Sequence, residues 1–554
     1  MKKIWINNYE QGVATDANVA QYSSIPDVFL HSVERFSSRV AYRNFGTSLT
    51  FYQTGLLTKY FASFLQNHLQ VKRGERIAIM MPNVLQYPVA IFGALRAGMV
   101  VVNVNPLYTP RELAYQLNNS GATTIIILEN FANTLSSIIE QTQIKNIIIA
   151  RIGDLLGSIK GRVINFAVRY IKKMIAEYNL PNTISFNRAI ELGKQKPFVE
   201  VALSLDDLAM LQYTGGTTGT AKGAMLTHGN ICANMAQARE WIKNKLIFGE
   251  ETFVTPLPLY HIFSLTVNLM IACNVGATNV LITNPRDIKS FIKILRHTKT
   301  TVITGVNTLF NALLDNPDFA KIDFSTWKLS LSGGMATQKS VAKQWYKITG
   351  LPLIEAYGLT ECSPGVCVNP LNITEYTGDI GLPIPNTEVQ IRDNDGCEVP
   401  IGEVGELWVK GPQVMKGYWQ TDEETAKVFD KDGWLSTGDI CTMDNRGFIR
   451  LIDRKKDIIV ISGFNVYPNE IEEIVANMEG VREVACIGTL NEKNNEAIKI
   501  FVVRNNPSKL TKEEIISYCK KQLTAYKVPK IIEFCDELPK SNVGKVLRQK
   551  LRDQ

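Results

Sequence analysis

The sequence predicts an α/β protein. Its large N-terminal domain has parallel and mixed sheets covered by helices, followed by a β-subdomain and a small C-terminal α+β domain. Three observations carry this prediction. Short, branched apolar runs alternate with helical patterns through the first two-thirds of the chain. From about Thr387 the texture changes to short strands cut by Gly, Asn and Asp turns. A dense charge run, Asp453-Arg454-Lys455-Lys456-Asp457, then precedes a final stretch with helices and strands of its own. Short buried strands alternating with helices imply parallel sheets covered on both faces.

Taken in order, Ile77 to Met80, Val100 to Val104, Thr124 to Leu128 and Asn146 to Ile149 read as buried strands. Pro110 to Asn119 and Asn130 to Gln141 read as helices, and Leu208 to Gln212 as a strand. Glu388 to Ile391, Gly405 to Val409 and Phe448 to Leu451 are the short strands of the second region. The charge run reads as a solvated turn or, lying between two strand-bearing regions, as a hinge. After it come a helix at Asn469 to Asn477, strands at Val481 to Ile487 and Ile498 to Val503, and a helix at Lys512 to Leu523. The expected boundaries are residues 1–452 for the N-terminal domain, 453–457 for the hinge and 458–554 for the C-terminal domain. No internal repeat is visible.

Bulk properties narrow the class. At 554 residues the chain exceeds one core, since domains run to roughly 150 residues. The apolar share of 45% and charged share of 20% suit a globular protein rather than a disordered one. Nine cysteines without a CxxC pair, and five histidines, fit free thiols in a reducing cytosol better than a disulfide framework or a zinc site. Met1 to Asn8 has a basic tip but no apolar stretch, so it is not read as a signal peptide. The uncharged stretches after Arg76 and from Ile262 to Asn284 carry interior Asn, Gln and Pro, and read as buried core rather than as membrane spans. A net charge of +7 without clustered basic and aromatic residues argues against nucleic acid as a partner.

One segment is unusual. Lys160, Arg162, Arg169, Lys172 and Lys173 occur with no acid before Glu177, while Val163, Ala167, Tyr170, Ile171 and Met174 recur at helical spacing. Such a helix packs as an ordinary surface helix or lies on an anionic membrane surface; the packed reading is the one expected.

The strongest chemical signal is Tyr213-Thr214-Gly215-Gly216-Thr217-Thr218-Gly219-Thr220-Ala221-Lys222-Gly223. Glycines let a backbone approach phosphate oxygens, hydroxyls donate hydrogen bonds, and lysine neutralises charge. The Gly-Lys-Ser/Thr order of a Walker A loop is absent. Leu331-Ser332-Gly333-Gly334-Met335 offers bare backbone to a flat base. Tyr357-Gly358-Leu359-Thr360-Glu361 adds an aromatic, a hydroxyl and a carboxylate suited to Mg²⁺. Asp439, in Trp434-Leu435-Ser436-Thr437-Gly438-Asp439, could accept from ribose hydroxyls, and Lys545 closes Leu538-Pro539-Lys540-Ser541-Asn542-Val543-Gly544-Lys545.

Together these segments resemble the adenylate-forming superfamily of acyl-CoA synthetases, luciferases and adenylation domains, over the whole chain. Within it, Val101 to Thr109, Pro258-Leu259-Tyr260-His261-Ile262-Phe263 and Ser462 to Pro468 resemble bacterial long-chain fatty acid–CoA ligases. The resemblance implies activation of long-chain fatty acids to acyl-CoA through an acyl-adenylate. ATP and CoA would be co-substrates, Mg²⁺ the cofactor, and fatty-acid degradation the setting. It implies a mobile C-terminal domain turning about Lys456, with Lys545 bridging carboxylate and α-phosphate. The loop to Lys222, with Thr218 as a catalytic group, would hold the β,γ-phosphates. Thr360 and Glu361 would serve phosphate and Mg²⁺, and Asp439 with Arg454 the ribose. Gly333, Gly334, Tyr357 and Gly358 would frame adenine, His261, Phe263 and Gly305 would meet the acyl group, and Gly463 with Phe464 would meet CoA. It further implies a cytoplasmic protein peripheral on the inner membrane surface, and it allows a homodimer. A medium-chain or aryl acid ligase, or an enzyme loading a carrier-protein thiol, are the alternatives within the same chemistry. A binding protein without catalysis is the alternative outside it.

Overall fold

The computed structural model describes residues 3–214, 221–461, 464–490, 496–505, 510–541 and 544–553. A seven-stranded sheet runs in the order Thr183–Ser185, Asn146–Ala150, Thr124–Leu128, Arg76–Met80, Val100–Asn103, Leu208–Thr214, Lys222–Thr227. All its pairs are parallel except the last, where Leu208–Thr214 turns back on Lys222–Thr227. A nine-stranded sheet holds six parallel neighbours, Leu353–Gly358, Leu329–Gly333, Val302–Gly305, Thr252–Thr255, Thr278–Leu281 and Val40–Asn44. The predicted strands in these layers are present, within one or two residues, because each is a fully buried apolar run: Thr124–Leu128 is inaccessible at every position.

Local chemistry sets the helix ends. Thr109 caps Pro110–Ser120 in a capping box with Glu112, and Gly121 closes it in the left-handed conformation (φ 63°). Asn130 to Gln141 is not one helix. It breaks into 3-10 turns at Glu129–Phe131 and Ile139–Gln141 around a short helix, Ala132–Ser136. Asn, Thr and Ser dominate the segment and compete for backbone partners: Ser137 Oγ donates to the Thr134 carbonyl at 2.8 Å. Both uncharged stretches are core, as expected, with Gln86–Arg96 and Leu265–Leu269 almost wholly buried. Among the described residues no helix is long and apolar enough to cross a membrane.

The β-rich region is a four-stranded antiparallel sheet, Glu388–Arg392, Gly405–Lys410, Leu435–Met443 and Ile449–Arg454. The charge run forms a 3-10 turn, Lys455–Asp457, directly after it. Beyond lie the hairpin Ile459–Ile461 and Phe464–Val466, a three-stranded sheet, and helices Pro468–Ala476 and Lys512–Gln522 around a separate core.

The basic helix departs from the packed reading. It spans Ser158–Phe166 and continues as a π-helix, Ala167–Ile171, with Ile159, Val163, Phe166, Tyr170 and Ile171 exposed. Ala167, in the same spacing, is partly covered.

Candidate active site

One cavity of about 1690 Å³ lies between the C-terminal ends of the central parallel strands and the C-terminal domain. Ligands commonly bind where parallel strands end. The strand Leu329–Gly333 delivers Gly333 and Gly334, its neighbour Leu353–Gly358 delivers Tyr357 and Gly358, and the following 3-10 turn Thr360–Cys362 delivers Thr360 and Glu361. Gly333 must be glycine here, since a Cβ would sit 2.9 Å from the Ala356 carbonyl oxygen.

Asp439 and Arg454 face each other across adjacent antiparallel strands, their side chains 3.0 Å apart. Tyr357 Oη donates to Asp439 Oδ2 at 2.6 Å. The tyrosine is thus fixed by the same carboxylate that the sequence suggested for ribose. Burial, followed by the Asp439 charge, holds the Tyr357 phenol well above its ordinary pKa, so it remains a donor.

Tyr213 and Thr214 pair with Gly223 and Lys222 across the hairpin that carries the glycine-rich loop, and Ala221 accepts from Tyr115 Oη at 3.0 Å. Gly215, Gly216, Thr217, Thr218, Gly219 and Thr220 lie outside the described residues, as does Gly463. Lys222 is ion-paired with Glu424 and lies 5.2 Å from the Tyr418 ring centroid. Tyr418 Oη in turn donates to Glu361 Oε1 at 2.7 Å. One carboxylate oxygen of Glu361 is therefore held by protein while the residue lines the cavity, an oxygen donor fit for Mg²⁺ that also takes phosphate and water ligands.

Lys545 enters this cavity from the C-terminal domain. It is tied to Ser541: the Ser541 amide donates to the Lys545 carbonyl at 2.7 Å, and the Lys545 amide donates to Ser541 Oγ at 3.1 Å. Gly544 (φ 83°) presses against the large domain so closely that a Cβ would lie 2.3 Å from Thr308 Oγ1. Burial, then the Arg454 charge, brings the Lys545 ammonium down to about 8. His261 caps the short helix Ile262–Ser264, its Nδ1 accepting from the Phe263 amide at 3.4 Å. Burial and then the Lys545 charge lower it to about 4, so the ring is neutral at pH 7.

The cavity continues as an apolar groove. Leu329, Leu331 and Gly333 alternate along one strand and so share a face. Opposite them are Asn234, Ala238 and Trp241 on one face of helix His228–Ile242, and Val267 and Ile271 one turn apart on Leu265–Ile271. From Gly333 to Leu329 the strand covers about 13 Å. Trp241 bounds the groove. Its Nε1 donates to the Asn369 carbonyl at 3.2 Å, and the Tyr9 ring meets it edge-on at 5.0 Å.

Phe263 lines the cavity, whereas Gly305 does not: its Cα backs onto the Phe310 ring. Phe464 is exposed and stacked on Tyr526 at 5.0 Å, away from the cavity. Lys456 lines the cavity beside Arg454. Three residues of the site carried no motif in the sequence: Glu355, Tyr418 and Glu424. Glu355 is buried in the cavity wall, its Oε2 without a partner among the described residues, and burial raises it to about 8. It sits two residues before Tyr357 on one strand, so period-2 alternation alone would have placed both on the same face.

Residues 29–419 match the AMP-binding enzyme family and residues 470–545 match the AMP-binding enzyme C-terminal domain. The chain belongs to the AMP-binding enzymes. It is 54% identical to a long-chain-fatty-acid–CoA ligase of Escherichia coli O6:H1, covering 100% of this chain and 98% of that one. It is also 51% identical to the protein of that name from Haemophilus influenzae, over 100% and 99%. Among solved structures, an anthranilate CoA ligase in complex with anthranoyl-AMP superposes with TM-score 0.84 at 25% identity, covering 96% of this chain and 97% of that one. A benzoate CoA ligase from Burkholderia xenovorans gives TM-score 0.82 at 25% identity, over 96% and 99%.

Proposed function

We propose that this protein activates long-chain fatty acids to acyl-CoA at the expense of ATP, by way of an acyl-adenylate. The observation that carries the reading is the apolar groove opening at Gly333 onto the Lys545, Thr360 and Asp439 cluster. Burial of each methylene contributes about 0.8 kcal/mol, so a groove of this length favours a long acid over a short or aryl one.

In the first step a carboxylate oxygen attacks the α-phosphorus of ATP, and pyrophosphate leaves. Two anions must meet, so positive charge and fixed geometry dominate the barrier. Lys545 bridges the carboxylate and the α-phosphate, and Lys222 with the loop before it, Thr218 included, takes the β,γ-phosphates. Asp439 and Arg454 take the ribose, Tyr357, Gly333, Gly334 and Glu355 the adenine. Glu361 would hold Mg²⁺, which when bound offsets phosphate charge. In the second step the CoA thiol sulfur attacks the acyl carbon and AMP leaves. Lys545 occupies the place the thiol needs, so residues 458–554 turn about 453–457, with Lys456 as pivot. Phe464, exposed in this conformation, then reaches the CoA path together with Gly463. Neutral His261 orients the acyl carboxylate without adding a second cation.

The product suits entry into fatty-acid degradation. Because the acid partitions into lipid, peripheral contact with the cytoplasmic membrane surface belongs to the same reading. Stopped reactions separate the steps: pyrophosphate release without CoA reports adenylation, and acyl-CoA formation reports the whole cycle. Lys545→Ala should lower pyrophosphate release by about 10²-fold or more, the scale of losing one preorganised transition-state contact. Retained release in that variant would remove Lys545 from the chemistry.

A further inference from the structure

We infer that the segment 158–174 is a docking surface for anionic lipid bilayers, lying flat in the headgroup layer. The inference rests on the peripheral contact proposed above and assigns it a place. Ile159, Val163, Phe166, Tyr170, Ile171 and Met174 are each 55–79% exposed. The first four follow one another at steps of four, three and four residues and so form one stripe along the helix. Phe166 and Tyr170 touch, ring centroids 5.0 Å apart. Single exposed apolar residues are ordinary, but a stripe of four with exposed Ile171 and Met174 just beyond it marks an interaction surface.

The stripe is held, not loose. On the opposite side, Gly161 packs so closely on Gly153 that a Cβ would lie 2.3 Å from the Gly153 carbonyl oxygen, and Asn165 Oδ1 accepts from the Gly153 amide at 2.7 Å. Arg169 is ion-paired at 2.5 Å with buried Glu129, which also accepts from Tyr178 Oη at 2.8 Å. Asn130 Nδ2 donates to the Met174 carbonyl at 3.2 Å. The helix thus presents its apolar face outward by construction.

Charge selects the occupant. No Asp or Glu occurs from Leu155 through Ala176, and exposed Arg162, Lys172 and Lys173 have no ion-pair partner among the described residues. A second copy docking on the stripe by two-fold symmetry would bring these cations face to face, a like-charge contact that opposes association. An anionic bilayer offers instead an apolar layer for the stripe and phosphate for the cations, the arrangement of an in-plane amphipathic helix. Each basic residue near such a surface adds about fivefold to partitioning.

The test is co-sedimentation of the full chain with extruded vesicles of phosphatidylcholine, with and without phosphatidylglycerol. Octanoate turnover without vesicles is measured on the same samples. The wild type should bind the mixed vesicles well, pure phosphatidylcholine weakly, and lose binding as salt rises. The double variants Phe166→Asp/Ile171→Asp and Lys172→Glu/Lys173→Glu should each bind mixed vesicles at least about tenfold less while keeping octanoate turnover. Wild-type failure to bind, or variants that bind as the wild type does, would overturn the assignment, the latter by placing the contact on another surface. Wild-type self-association abolished by Phe166→Asp/Ile171→Asp, without a change in vesicle binding, would make the stripe a dimer face instead. In each case intact octanoate turnover leaves the ligase reading standing.

Discussion

Lys545 ties residue chemistry to pH. In the proposed reaction its ammonium must be charged to bridge two anions, and burial lowers it to about 8. The charged form is lost as pH rises through that value. We therefore expect kcat/KM for adenylation, which reports the free enzyme, to fall above pH about 8. In Lys545→Arg the guanidinium stays charged, so whatever activity remains should lose this alkaline arm; an arm unchanged in that variant would assign it to another group. Glu355, raised to about 8, is a neutral donor at pH 7. Glu355→Gln keeps that hydrogen bonding and should hold KM for ATP within about twofold, whereas Glu355→Leu should raise it about tenfold, the worth of one buried hydrogen bond. That Thr214, Lys222, Gly333, Tyr357, Glu361, Asp439 and Lys545 would line one cavity was legible in the sequence, because glycines, a lysine and a carboxylate at fixed spacing have no other common use. Tyr418 and Glu424 were not. They meet Lys222 only because Ala224 and Tyr418 bridge across a distance of nearly two hundred positions in the chain.

At the scale of elements, the strand Leu329–Gly333 lines the groove along its length, and the turn Lys455–Asp457 follows the four-stranded sheet where the proposed hinge lies. Leu329→Phe fills the far end of the groove. It should lower kcat/KM for palmitate and oleate about tenfold while octanoate changes by about twofold or less, allowing for about 1–3 kcal/mol of overpacking that a thermal melt would show. Equal losses for all three acids would place the chain elsewhere. Lys456→Pro fixes φ and removes an amide at the pivot. Thioester formation should slow at least about tenfold more than pyrophosphate release, and equal slowing would argue against a hinge there. The present arrangement is braced by Arg548, which lies 2.8 Å from Glu472, 3.3 Å from Asp457 and 3.7 Å from Asp453. Strands were legible wherever burial on both faces made the run uniformly apolar. The broken helix after Glu129 was not, since its Asn, Thr and Ser trade helix for local side-chain bonds.

For the whole molecule, the covered parallel sheets were readable from alternation, the β-rich region from the change of texture near Thr387, and the small C-terminal domain from the helices and strands after the charge run 453–457. The groove was not, because it arises where one face of helix His228–Ile242, one face of Leu265–Ile271 and alternate residues of a central strand converge. No local pattern distinguishes such residues from core. The fate of the basic helix was also hidden, since its apolar spacing suits burial and exposure equally, and the packing of Gly161 on Gly153 with the Arg169–Glu129 pair decides which face turns out. A groove that feeds an acid to Lys545 is the core of the proposed reaction. It is tested most directly by CoA-dependent AMP formation from ATP with octanoate, palmitate and oleate in parallel, for the wild type and Lys545→Ala. Turnover should be highest with the two long acids and almost lost in the variant. No AMP with any acid, or full activity in Lys545→Ala, would contradict it.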